Sequence, residues 1–193
     1  IGNCLVEKFN KLGLKIIATG TNEEKLERLK KKFQNIEIEK FKLDQHSKIE
    51  EFIDHIDKKL EGIDILVNNA GAAWGEPYEN FSEKGWDKVM DTNVKSMFFL
   101  TRDLTPALAK NASDDEPSRV INIGSIDGIN VPIFETFSYS ASKAAVHHLT
   151  RALASKLVRE NILVNAIAPG PFPSMMLGLS LIHISEPTRP SQI

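Results

Sequence analysis

The feature that most constrains this chain is a strict alternation of short apolar runs with longer amphipathic ones. Five runs read as strands: "LKIIATG" (14–20), "IEIEKFKLD" (36–44), "IDILVNNAG" (63–71), "RVINIGS" (119–125) and "ILVNAIAPG" (162–170). The segments between them read as helices. Cys4, Leu5, Phe9 and Leu12 recur at helical spacing before Gly13. Asn22 caps the next helix, with Glu23 and Glu24 in its first turn and lysines at its end, as a helix dipole prefers. Ser47 starts a third, with Ile49, Phe52, Ile53, Ile56 and Leu60 on one side and Gly62 at its end. Two longer helices are expected over about 84–110 and 138–160. Apolar strands alternating with helices make an α/β fold: a parallel sheet covered by helices on both faces. Nothing repeats and no linker interrupts the pattern, so a single domain is expected.

The 193 residues suffice for one sizeable core. The 24 basic and 26 acidic residues leave a net charge of −2, with no basic cluster of the kind that binds nucleic acid. "LKKKF" (29–33) reads as the solvated end of a helix. No apolar run reaches the ~18 residues of a membrane helix. The single cysteine, Cys4, excludes an intrachain disulfide framework and fits a reducing, cytoplasmic compartment. Its apolar helical setting predicts a buried thiol. The chain opens on Ile1 and not on methionine, so this end says nothing about a targeting peptide.

In open parallel sheets, ligands bind beyond the carboxyl ends of the strands. Those ends carry Gly20, Asp44, Asn68-Asn69-Ala70-Gly71, Ser125 and Pro169-Gly170. Just beyond lies "FSYSASKAAV" (137–146), with Tyr139 and Lys143 one helical turn apart on one face, about 6 Å along the axis. A free phenol, with a pKa near ~10, exchanges protons poorly at neutral pH. A nearby ammonium stabilises the phenolate and lowers that value. With Ser125 at the end of the preceding strand, such a pair can polarise a carbonyl oxygen and exchange a proton with it. His147 and His148 read as helix-surface or interface residues, because no cysteine or acid stands at metal spacing. No metal is expected.

These motifs in this order ("NNAG" at 68–71, Asn93 in "DTNV", Ser125 in "NIGS", "YSASK" at 139–143, "APG" at 168–170) resemble those of the short-chain dehydrogenase/reductase family over about residues 1–176. The resemblance implies a Rossmann-type doubly wound parallel sheet. It makes Tyr139 the catalytic acid/base, with Lys143 lowering its pKa and holding the nicotinamide ribose. Ser125 would hold the substrate oxygen. Asn93, at a break in its helix, would anchor a water of the proton relay. Gly2, Thr21, Asp44, Asn69, Ala70, Gly71, Pro169, Gly170 and Ser174 would border the cofactor. The intact proteins usually form homodimers or homotetramers through the two long helices.

An acid at the end of the second strand of such folds would hold the ribose 2′-OH. Here Thr19-Gly20-Thr21-Asn22 offers none, which favours NADP over NAD; Thr21 stands where a basic residue is often found. The branch resembled most is that of 3-oxoacyl-carrier-protein-reductase-like and rhamnolipid-biosynthesis-type reductases. The apolar loop "IDGINVPIFETF" (126–137), with Trp74, would line the substrate side. The expected reaction interconverts a ketone and a secondary alcohol. A sugar or polyol dehydrogenase, and a non-catalytic NAD(P)-binding regulatory relative, are the alternatives.

Both ends depart from the family pattern. Ile1-Gly2 corresponds to the end of the glycine-rich turn, so the first, central strand and the C-terminal elements are expected to be absent. Residues 177–193 read as a non-native tail; from Leu179, "LSLIHISEPTR" resembles a translated sequencing adapter.

Overall fold

The computed structural model describes residues 1–33, 35–43, 49–59 and 61–171. The expected alternation is present. Helix α1 (Gly2–Lys11) leads to β1 (Ile16–Gly20), α2 (Glu23–Lys32), β2 (Ile36–Lys40), α3 (Ile49–Lys59) and β3 (Ile65–Asn68). Then follow α4 (Glu83–Met90), a π turn (Asp91–Lys95), α5 (Ser96–Ala109), β4 (Ser118–Ile123), α6 (Phe137–Leu157) and β5 (Ile162–Ile167). Asn22 caps α2 as expected, its side chain accepting the Lys25 backbone N–H at 2.9 Å. Ser47, Leu60 and the 177–193 tail lie outside the described residues.

All strand pairs are parallel, in two groups: β1 with β2, and β3–β4–β5 in that order. Among the described residues no pairing joins the groups. The break falls between β1 and β3, where the family resemblance puts a central strand. It also explains a difference from expectation. "LKIIATG" and "IDILVNNAG" read as buried, yet β1 and β3 contain no fully buried residue, each being paired on one side only.

The core lies under β4 and β5. Phe52 and Ile56 of α3, Leu100, Leu104 and Leu108 of α5, and Leu153 and Leu157 of α6 pack with Val120, Ile162 and Val164. A polar chain crosses this apolar region. Asn68 Nδ2 donates to Thr101 Oγ1 (3.0 Å) and to Asn122 Oδ1 (2.8 Å), and Asn122 Nδ2 donates to Thr150 Oγ1 (2.9 Å). Asn122 is wholly buried, so these bonds replace the water it has lost. They tie β3, β4, α5 and α6 into one register.

Two further expectations are corrected. Cys4 is exposed, not buried; α1 has no buried residue at all. The strands also end earlier than the apolar runs suggested, β3 at Asn68, β4 at Ile123 and β5 at Ile167. The residues past each end leave the ladder and build the site. Among the described residues, no helix is long and apolar enough to cross a membrane, and no group of side chains could hold a metal ion.

Candidate active site

The site forms where the turns after β3, β4 and β5 meet the first turns of α6. Backbone bonds knit the turns together. Gly124 N–H donates to the Ile167 carbonyl (2.7 Å) and Ile126 N–H to the Pro169 carbonyl (3.0 Å), which sets Ser125 beside "APG". The short 3-10 turn Ile126–Gly128 then lies flat on α6. A Cβ at Gly128 would stand 2.5 Å from the Lys143 carbonyl carbon and 2.7 Å from the Ala144 nitrogen, so only glycine permits this approach.

Asn93 sits within the π turn that interrupts the long α4–α5 segment, and it is buried. Its amide is fully used. Oδ1 accepts the Ala72 N–H (2.7 Å), while Nδ2 donates to the Ala72 carbonyl (2.9 Å) and to Ser142 Oγ (2.9 Å). Ser142 Oγ donates in turn to the Tyr139 carbonyl (2.7 Å). The side chain thus clamps the turn after "NNAG" to the first turn of α6. The π turn is the geometric device for this, since it offsets the helix on either side.

Ser125 is buried, and its Oγ accepts the Asp127 N–H at 3.2 Å. Its hydroxyl proton is left for a second partner, and the phenol of Tyr139, which interacts with the Ser125 side chain, is half-buried. Burial pushes the Tyr139 phenol above its ordinary value, contact with the Ser125 side chain pulls it down, and the Asp127 carboxylate pushes it up. Lys143 was expected to lower it. Instead its Nζ donates to the Ile123 carbonyl (2.6 Å) and lies 5.6 Å from the Tyr139 ring centroid. Burial, at 5% exposure, pulls the Lys143 amine down to about 8. Ser125 therefore bears more directly on the phenol than Lys143 does. Helical spacing and motif set tyrosine and lysine on one face, but neither says where a long, flexible amine finds its acceptor.

Gly71 faces Asn93 and Lys143, a Cβ there standing 3.5 Å from Asn93 Oδ1 and 3.8 Å from Lys143 Nζ. Gly2 begins α1 against Asn69, a Cβ on it standing 3.1 Å from Asn69 Nδ2. Ala70 lies between these two contacts along the turn after β3. Thr21 is exposed at the end of β1, and Pro169 and Gly170 follow β5. Asp44 and Ser174 lie outside the described residues. Of the expected substrate loop, Ile129, Val131 and Ile133 project into solvent, Val131 at 94% exposure.

His147, expected at the helix surface or at an interface, turns towards the site. It is half-buried, and its Nε2 accepts the Ser125 backbone N–H at 3.4 Å. Tyr139, Lys143 and His147 follow one another at intervals of four on one helix face, a signal present in the sequence. His148 is exposed, with its Nδ1 3.3 Å from the Arg151 guanidinium.

A parallel α/β sheet with a serine, a tyrosine and a lysine converging past its strand ends defines a Rossmann-type dehydrogenase architecture. The family of short chain dehydrogenases matches residues 1–180, reaching past the boundary expected at 176 into the first residues of the tail. The chain belongs to that family. It is 52% identical over 114 residues to the rhamnolipids biosynthesis 3-oxoacyl-[acyl-carrier-protein] reductase of Pseudomonas aeruginosa, covering 59% of this chain and 44% of that protein. It is 34% identical over 171 residues to the NADP-dependent 3-hydroxy acid dehydrogenase YdfG of Escherichia coli, covering 88% and 67%. Among solved structures, the Pseudomonas aeruginosa RhlG/NADP active-site complex superposes with a TM-score of 0.85 at 35% identity, covering 92% of this chain and 73% of that one. The match thus spans less than half of the first of these curated relatives.

Proposed function

We propose that the protein is an NADP(H)-dependent oxidoreductase that interconverts a ketone and a secondary alcohol, with a 3-oxoacyl-type substrate. The observation that carries this reading is the convergence of the Ser125 hydroxyl and the Tyr139 phenol over a buried Lys143.

The chain's residues suit a bound dinucleotide. Helix α1 starts with a glycine against the Asn69 amide, and Gly71 places no side chain against Lys143 Nζ. Gly2, Thr21, Asn69, Ala70, Gly71, Lys143, Pro169 and Gly170 would hold it, together with Asp44 and Ser174. When bound, it supplies or accepts the hydride. The end of β1, Thr19-Gly20-Thr21-Asn22, holds no acid, which supports a 2′-phosphate, as do the NADP in the RhlG complex and in the name of YdfG.

The rest is work for side chains. Ser125 already accepts the Asp127 N–H, so its proton is free to bind the substrate oxygen. Tyr139, raised by burial, is protonated at neutral pH and so stands ready to donate its proton to a carbonyl oxygen during reduction. Lys143 carries positive charge beside the ring. Asn93 keeps these groups in place through Ala72 and Ser142. The apolar residues of the 126–137 loop support a greasy acyl substrate. We further read the protein as a homo-oligomer assembled through its long helices.

The test is oxidation of NADPH by the purified protein with 3-oxoacyl thioesters, compared with NADH and with polyol substrates. Reduction of the thioester, lost in Tyr139→Phe, supports the reading; preference for a polyol or for NADH would replace it.

A further inference from the structure

We propose that His147 is a positioning residue: by accepting the Ser125 backbone N–H from helix α6, its imidazole fixes the direction in which the Ser125 hydroxyl faces Tyr139. This rests on the carbonyl–alcohol reading of the Ser125–Tyr139 pair given above.

Three observations carry it. The first is the bond itself, from Ser125 N–H to His147 Nε2 at 3.4 Å. It is long, as such bonds often are before substrate binds. The second is the space made for the ring. Gly124 lies directly beneath the imidazole, where a Cβ would stand 2.1 Å from Nε2 and 2.6 Å from Cδ2. No other residue at position 124 leaves room for the ring. The third is that the imidazole also meets the Gly128 carbonyl, at the far end of the same turn. One ring therefore touches both ends of the Ser125–Gly128 turn. Ser125 N–H is a donor that would otherwise lack an acceptor among the backbone bonds of the turn.

The chemistry fixes the protonation state. An Nε2 that accepts a hydrogen bond cannot carry a proton. Burial pulls the imidazole below its ordinary value, as do the cations Lys143 and Arg151 on its own helix, while the Gly128 carbonyl on the turn pulls it up. Asp127, in the same turn, bears on Tyr139. The ring is thus neutral at pH 7. At a pH somewhat below 6.5 it gains a proton, loses its acceptor and repels the Ser125 N–H.

The experiment compares His147→Gln and His147→Leu with wild type in the full chain, and Tyr139→Phe tests the underlying reading. A glutamine Oε1 can accept the Ser125 N–H but does not titrate. Leucine fills the space and accepts nothing. The Leu variant is expected to lose about tenfold in kcat, the worth of one hydrogen bond, with KM for NADPH unchanged. The Gln variant is expected to keep most of the rate and to lose the acid limb expected of wild type below the ordinary imidazole range. Equal impairment of both variants, or none in either, overturns the proposal. A second measurement needs no turnover. The Ser125 amide resonance should shift with pH in step with His147 in wild type, and stay fixed in His147→Gln. A Ser125 amide that ignores the His147 titration overturns the proposal even in an active enzyme. A protein that reduces no carbonyl, or whose Tyr139→Phe variant is fully active, instead overturns the functional reading.

Discussion

Asn93 and Ser142 are joined by a 2.9 Å hydrogen bond from Nδ2 to Oγ, and through it the π turn holds the first turn of the Tyr139 helix. Asn93→Ala deletes this bond and leaves both the N–H and the carbonyl of Ala72 without their partner. Buried groups left unpaired in this way cost about 2–4 kcal/mol together. Urea unfolding should register that loss, and the turn carrying Gly71 should lose its fixed place beside Lys143. Asn93→Asp is expected to be no better, since its second oxygen would face the Ala72 carbonyl.

Lys143 is held in its charged form against its burial. Its folded value of about 8 lies below the ordinary 10.5. Between those two values the unfolded chain binds the extra proton, so stability rises with pH across that window; below about 8 the penalty is constant and complete. At about 1.4 kcal/mol per pH unit this amounts to about 3–4 kcal/mol at most, partly offset by the bond to the Ile123 carbonyl. Lys143→Met should therefore unfold at a higher temperature than wild type at pH 7, lack the alkaline rise in stability, and be catalytically dead. A Lys143→Met variant less stable than wild type would contradict this.

Ser125 lowers the Tyr139 phenol and burial raises it. Ser125→Ala removes the lowering contact, so the phenol moves further up. In the alcohol-oxidising direction, where the phenolate takes the proton, the rise of rate with pH should shift to higher pH, and kcat should fall by roughly 10²-fold or more, the usual size of a lost contact to a reacting oxygen. The pH–rate profile of the variant checks both statements.

Gly128→Ala would drive a methyl group into the α6 backbone at Lys143 and Ala144. Backbone cannot step aside as a flexible side chain can, so about 1–3 kcal/mol of strain is expected. Because Gly128 ends the turn that begins at Ser125, the rate should fall more than the stability loss explains. A variant with full kcat would show that the turn tolerates displacement.

The alternation of strands and helices, the Asn22 cap and the Ser125–Tyr139–Lys143 grouping were all legible in the sequence, because each rests on local spacing or on a residue type with one strong preference. Strand ends were not, because residue type does not say where ladder pairing stops; Asn68 pairs with β4 and Asn69 does not, although the two are the same residue. Cys4 was misjudged because helical periodicity marks a face without saying what covers it. Gly124 and Gly128 passed unremarked, since neither has a positive φ and their need for bareness comes from α6, distant in sequence. His147 was dismissed for lack of a metal partner, although its spacing from Lys143 repeated that of Lys143 from Tyr139. The Asn68–Asn122–Thr150 chain exists only once the sheet has assembled.

The break between β1 and β3 changes what ligand binding does for this chain. Thr21 belongs to the β1–β2 group, whereas Gly71, Ser125 and Pro169 belong to the group built on β4. A dinucleotide reaching from Thr21 to Gly71 would staple two sheets that share no backbone bond among the described residues. Its affinity would then be felt as cohesion: at a hundredfold excess over its Kd, about 2.7 kcal/mol is added to folding. If the chain binds a dinucleotide as proposed, cofactor occupancy and structural integrity become one equilibrium measured from two ends.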